Sequence, residues 1–86
     1  MKRQNEMNGL PVSLQEIPPG QVVRLVQVDG GKGMKQRLAE MGLFPGTEFK
    51  VIERGRPGPF IIEVRGGKLV LGQGMISRIF VAYVKG

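Results

Sequence analysis

RLAEMGLFPGTEFKV, residues 37–51, changes its periodicity halfway along. Met34, Leu38 and Met41 recur at i, i+4 and i+7, which makes one apolar stripe on a helix over residues 33–41. A helix this short does not persist alone and needs another element to dock against. Gly42 supplies the stop, because helices commonly close with a glycine in the left-handed region. Leu43 follows at once and is placed to fold back onto Leu38, the contact that accompanies such a cap. Pro45-Gly46 suits the centre of a type II turn, with proline fixing the first dihedral and glycine accepting positive φ. Thr47, Phe49 and Val51 then alternate with Glu48 and Lys50, as in a strand. Cap and turn together redirect the chain from helix to strand with no slack between them.

Upstream, residues 1–9 read as a loose polar tail, and residues 10–86 as a single domain. Leu10 to Ile17 is ambiguous, with Leu14 and Ile17 spaced to share one face of a turn over the core. Pro18 disfavours helix at Ile17, and Pro19-Gly20 fits the middle of a tight turn. Val22 to Val28 is a strand rich in branched residues. Val22, Val26 and Val28 fall on one face and Val23 and Leu25 on the other, so the strand is either covered on both sides or bulged. Asp29-Gly30-Gly31 is a turn signal.

Downstream, Arg54 to Pro59 is a hairpin loop, Phe60 to Arg65 a strand, and Gly66-Gly67 a turn. Lys68 to Leu71 is a short strand, broken by Gly72 to Gly74, and Met75 to Val84 reads as the last strand. Short, closely spaced strands with tight turns predict an all-β fold, a small barrel with one short helix inserted between strands.

The 86 residues include no cysteine and no histidine. Disulfides, thiolate metal sites, cysteine nucleophiles and histidine-based acid–base or triad chemistry are therefore excluded. Glu40, Glu48, Glu53 and Glu63 form no paired-carboxylate motif, and Asp29, the only aspartate, sits in the turn before Gly30. Gly30-Gly31-Lys32-Gly33 lacks the spacing of a phosphate-binding loop. No enzyme is expected, and no cofactor or metal site. Scattered methionines pack the helix (Met34, Met41) or lie in the tail (Met7) and at the last strand (Met75).

Thirteen basic residues against seven acidic ones give a net charge of +6, scattered along the chain. That balance, being scattered, reads first as solubility, and is also consistent with a nucleic acid, an anionic membrane surface or an acidic protein partner. Arg54, Arg56, Arg65 and Lys68 cluster in sequence around two successive hairpins, a patch suited to phosphates. Nucleic-acid binding on a small barrel also needs exposed stacking aromatics. Phe49, Phe60, Phe80 and Tyr83 sit in apolar alternation and read as core. Phe44 alone occupies a turn, either as a plug or as an exposed anchor. No apolar run is long enough to span a bilayer, and the polar start MKRQNEMNG carries no secretory signal, so a cytoplasmic protein without membrane insertion is expected.

Leu38-x-x-Met41-Gly42-Leu43-x-Pro45-Gly46, followed by Phe49 and Val51, resembles the signature of the FeoA family, small cytoplasmic proteins of ferrous iron uptake. Leu14 and Pro19-Gly20 resemble the opening of that domain, Gly58-Pro59 its central hairpin, and Gly67 to Leu71 with Ile79-Phe80-Val81 its closing strands. The likeness spans residues 10–84 and implies a small SH3-like barrel with a short inserted helix. It also implies an accessory or regulatory partner of FeoB, a membrane transporter of ferrous iron with a cytoplasmic GTPase domain. Such a partnership would bring the protein to the inner face of the membrane. Similar domains end metal-dependent repressors, but no DNA-binding helix pair precedes this one. The residues offer no soft or borderline ligand set for iron, so interaction is the expected mode of action. Lys35, Arg37 and Phe44 are the candidate partner-binding residues, with Leu38, Met41, Gly42, Leu43, Pro45 and Gly46 as the structural motif beneath them. The alternative reading is a nucleic-acid-binding barrel that uses the basic hairpin patch.

Overall fold

The computed structural model describes residues 10–55 and 58–84; the tail, 1–9, and Arg56 of the basic patch lie outside the described residues. Two short elements come first: β1 (Val12–Ser13) and a 3-10 turn (Leu14–Glu16). Ser13 caps that turn by accepting a hydrogen bond from the Gln15 N–H, and it seats Leu14 and Ile17 fully inside the core. There follow β2 (Val22–Val28), α1 (Lys32–Glu40), β3 (Glu48–Arg54), β4 (Phe60–Val64), β5 (Gly67–Leu71), α2 (Gln73–Ile76) and β6 (Ile79–Tyr83). The six strands form one antiparallel sheet in the order β1-β6-β2-β3-β4-β5.

Two features correct the expectation of an all-β SH3-like barrel with one short helix. The sheet is open: among the described residues β5 pairs only with β4, and β1 only with β6. Closure would need β1 and β5 to share a ladder, and β1 is only two residues long. There is also a second helix, α2, where sequence alternation suggested the start of the last strand. Gly72 to Gly74 ends β5, and the chain turns helically so that Ile76 enters the core. The Ser77 hydroxyl closes the turn on the Gly74 carbonyl at 3.3 Å. Short apolar runs do not distinguish a buried helical turn from a strand. The fold is mixed α/β.

The core lies on one face of the sheet. Phe49 and Val51 of β3, Phe60, Ile62 and Val64 of β4, and Ile79 and Val81 of β6 alternate inward, as a half-buried sheet requires. In β2 the alternation changes phase. Leu25 pairs with Val81 and Gln27 with Phe80, which leaves Val26 as an extra residue. This bulge lets Val23, Leu25 and Val28 all face inward while Val26 points out, 38% exposed. It resolves the two alternatives left by the valine pattern. A second bulge falls between Val51 and Glu53 of β3.

Helix α1 ends in a double hydrogen-bonded closure. The Gly42 N–H donates to the Ala39 carbonyl at 2.9 Å, and the Leu43 N–H to the Leu38 carbonyl at 2.8 Å. Gly42 has φ +90°, and a Cβ there would meet no atom within 4 Å. A side chain at this position is therefore opposed by the dihedral alone. Gly42→Ala should destabilise by about 1 kcal/mol. Gly33→Ala, inside the helix with open space around it, should instead stabilise by about 0.5 kcal/mol. Urea midpoints of the two variants measure both, and equal midpoints would refute the cap.

Candidate functional site

The site is assembled at the cap. Leu38 is the one fully buried residue of α1, with Met34 and Met41 packed partly against the core. This docking presents Lys35 and Ala39, four residues apart and so on one flank, toward β2. Past the cap, Leu43 is buried and the chain turns through Phe44-Pro45-Gly46-Thr47, with the Thr47 N–H donating to the Phe44 carbonyl at 3.0 Å. The turn is tied to β2 on both sides of Leu25: the Gly46 N–H donates to the Leu25 carbonyl, and the Leu25 N–H to the Thr47 carbonyl, each at 2.8 Å. Thr47, the one buried polar residue among those described, turns its hydroxyl toward the Phe44 N–H at 3.5 Å.

Pinned in this way, the turn leaves the Phe44 ring 42% exposed. Between the helix flank, the turn and the bulged end of β2 lies a cleft of about 360 Å³, lined by Val26, Gln27, Val28, Lys35, Ala39, Leu43, Phe44 and Pro45. Its surface is mostly hydrocarbon, and none of the lining residues is acidic. Arg65 holds its guanidinium carbon 5.6 Å from the centroid of the Phe44 ring. The distance suits a cation–π contact.

Of the residues singled out from sequence, Lys35 and Phe44 meet on this cleft with Leu43 and Pro45. Arg37 is exposed but does not line it. Two residues from Lys35, it lies about 200° around the helix. Leu38, Met41, Gly42 and Gly46 hold the wall and the turn from below. Val26, Ala39 and Arg65 were not anticipated at this site. Val26 is there because of the bulge. Arg65 is there because the β4–β5 turn is centred on Arg65-Gly66, with Val64 paired to Gly67, one residue earlier than Gly66-Gly67 suggests. The inward alternation Phe60, Ile62, Val64 is the signal that fixes this register.

The basic hairpin patch does not assemble among the described residues. Successive hairpins of a meander lie at opposite ends of the shared strand. Arg54 pairs with Phe60 at one end of β4, and Arg65 follows Val64 at the other. Arg54 is also engaged, donating from Nη2 to the Gln15 carbonyl at 2.8 Å. Among the described residues no three acidic side chains gather into a metal-binding group. No helix among them is long and apolar enough to cross a membrane.

A family model of the FeoA domain matches residues 12–83, nearly the whole described fold. The chain belongs to the FeoA family. A protein of Methanocaldococcus jannaschii, provisionally named Fe(2+) transport protein A, is 39% identical to this FeoA-family chain over 62 residues, 72% of this chain and 74% of that protein. The crystal structure of an iron uptake regulatory protein, FeoA, is 36% identical with a TM-score of 0.79, covering 87% of this chain and all of that one. A manganese-dependent transcriptional repressor shares the fold at 17% identity and a TM-score of 0.77, over 86% of this chain and 42% of its own. At that identity the likeness is one of fold alone.

Proposed function

We propose that this FeoA-family chain is a cytoplasmic accessory protein of ferrous iron uptake, not an enzyme. It docks through the Phe44 cleft onto the cytoplasmic part of an FeoB-type transporter and holds the transported ion in no dedicated site of its own. The observation that carries the reading is the half-exposed Phe44 ring beside an apolar cleft with Lys35 at its lining. A half-exposed aromatic next to a groove is the feature from which interface anchors are built. Lys35 adds electrostatic steering toward an acidic surface. The absence of histidine and cysteine speaks for interaction over ion carriage.

Titration of the transporter's cytoplasmic domain tests the reading. Phe44→Ala should weaken binding about tenfold or more, the scale of losing a modest interface anchor. Lys35→Glu should weaken it in a salt-dependent manner. Both variants should melt close to the parent protein. Val70→Ala, at the exposed β5 edge, should change nothing. Tight stoichiometric binding of ferrous iron to the isolated protein, with no transporter contact, would sink the proposal.

A further inference from the structure

Arg65 has φ +52° and is the one non-glycine residue with positive φ among the described residues. It opens a two-residue hairpin turn with Gly66 at φ +80°. Both central residues of such a turn lie in the left-handed region, which favours asparagine, aspartate or glycine. A long arginine side chain is strained there, and strain of this kind is a reason to look for a function at the residue that bears it. Arg65 is exposed, and the ion pair found among the described residues joins Arg24 to Glu48, leaving it out. Its guanidinium instead lies over the Phe44 ring. A cation–π contact does not consume the N–H donors of a guanidinium, and two of them can meet a carboxylate in parallel.

We propose that Arg65, held on Phe44, is a carboxylate-reading residue at the rim of the cleft. The cleft takes a segment of a protein partner that presents one or two apolar side chains with an aspartate or glutamate beside them. This rests on the docking reading above and specifies the chemistry of what docks. Charge complementarity selects the acid: Lys35 lines the cleft, Arg65 lies over the lining residue Phe44, and no lining residue is acidic. The hydrocarbon of Val26, Ala39, Leu43 and Pro45 selects a protein segment over a phosphate backbone, which has nothing to bury there. At about 360 Å³ the space accommodates side chains, not the face of a domain.

The test uses two synthetic peptides of one sequence carrying a leucine pair, flanked by glutamates in one and glutamines in the other. Amide chemical shifts and calorimetry follow their binding to the full chain. The glutamate peptide should bind about tenfold more tightly, as charge-assisted pairing predicts, with shifts centred on Val26, Ala39 and Phe44. Arg65→Asn suits the turn and should melt no lower than the parent. It should remove most of the glutamate peptide's advantage, with Lys35 keeping a smaller, salt-sensitive remainder. Equal binding of the two peptides by the parent, or a preference undiminished in Arg65→Asn, overturns the inference. Transporter binding that is lost in Phe44→Ala but untouched by Arg65→Asn overturns it while leaving the docking reading intact. Arg65-dependent capture of the glutamate peptide with no transporter binding does the reverse.

Discussion

Leu38→Ala should lower stability by about 2–5 kcal/mol, the range for truncating a fully buried leucine. Domains of this kind have only about 5–15 kcal/mol in total. Leu38 has no exposed surface, and it serves the structure twice. Its side chain is the main anchor of α1 on the sheet, and its carbonyl accepts the Leu43 N–H that closes the helix. The loss therefore reaches the site. Lys35 and Ala39 ride on the same helix, so a loosened α1 takes one wall of the cleft with it. Denaturant melts give the stability change, and amide exchange along residues 32–40 reports the docking of the helix. A drop under 1 kcal/mol with unchanged exchange would mean that Leu38 is not the anchor. Met34→Ala, at a position only partly buried, should cost distinctly less.

Phe60→Ala should be as damaging, at about 3–5 kcal/mol, whereas Phe44→Ala should cost under about 1 kcal/mol. Phe60 is 1% exposed and heads the largest fully buried side chains; it stands on β4 opposite Arg54 on one side and Leu71 on the other. Removing its ring leaves a cavity that strands on both sides must collapse around. Phe44 is 42% exposed, and its ring meets the Arg65 guanidinium in place of a packed wall. Thermal and urea melts of the two variants make the comparison. Similar losses would show that Phe44 is a core plug and would remove the basis for an interface anchor.

The short-range features were legible because their causes are short-range. Helix, glycine cap, proline-glycine turn and following strand each depend on dihedral preferences and periodicity within a few residues. Residues 37–51 carry all of those signals together. The inward face of β3 followed from the alternation of Phe49 and Val51. Read from the sequence, the last strand starts at Met75, but Met75 and Ile76 fit a buried turn of helix as well as a strand and belong to α2, and β6 begins only at Ile79. Alternation gave no reason to choose an open sheet over a closed one, because local patterns fix strands and turns but not whether the two edge strands meet.

The site divides along the same line. Sequence by itself determined that Phe44 stands in a turn directly after a capped helix, that Lys35 lies on that helix, and that no cysteine or histidine is present for metal chemistry. Only the tertiary structure decided that Phe44 is exposed, that a bulge turns Val26 outward beside it, and that Arg65 arrives over its ring from 21 residues further along the chain. The reason is the nature of the interactions. Caps and turns are satisfied by neighbours in sequence. A bulge compensates a mismatch between two paired strands, and a cleft is the space that packed elements leave unfilled. Both exist only once β2, α1 and the β4–β5 hairpin have been brought together.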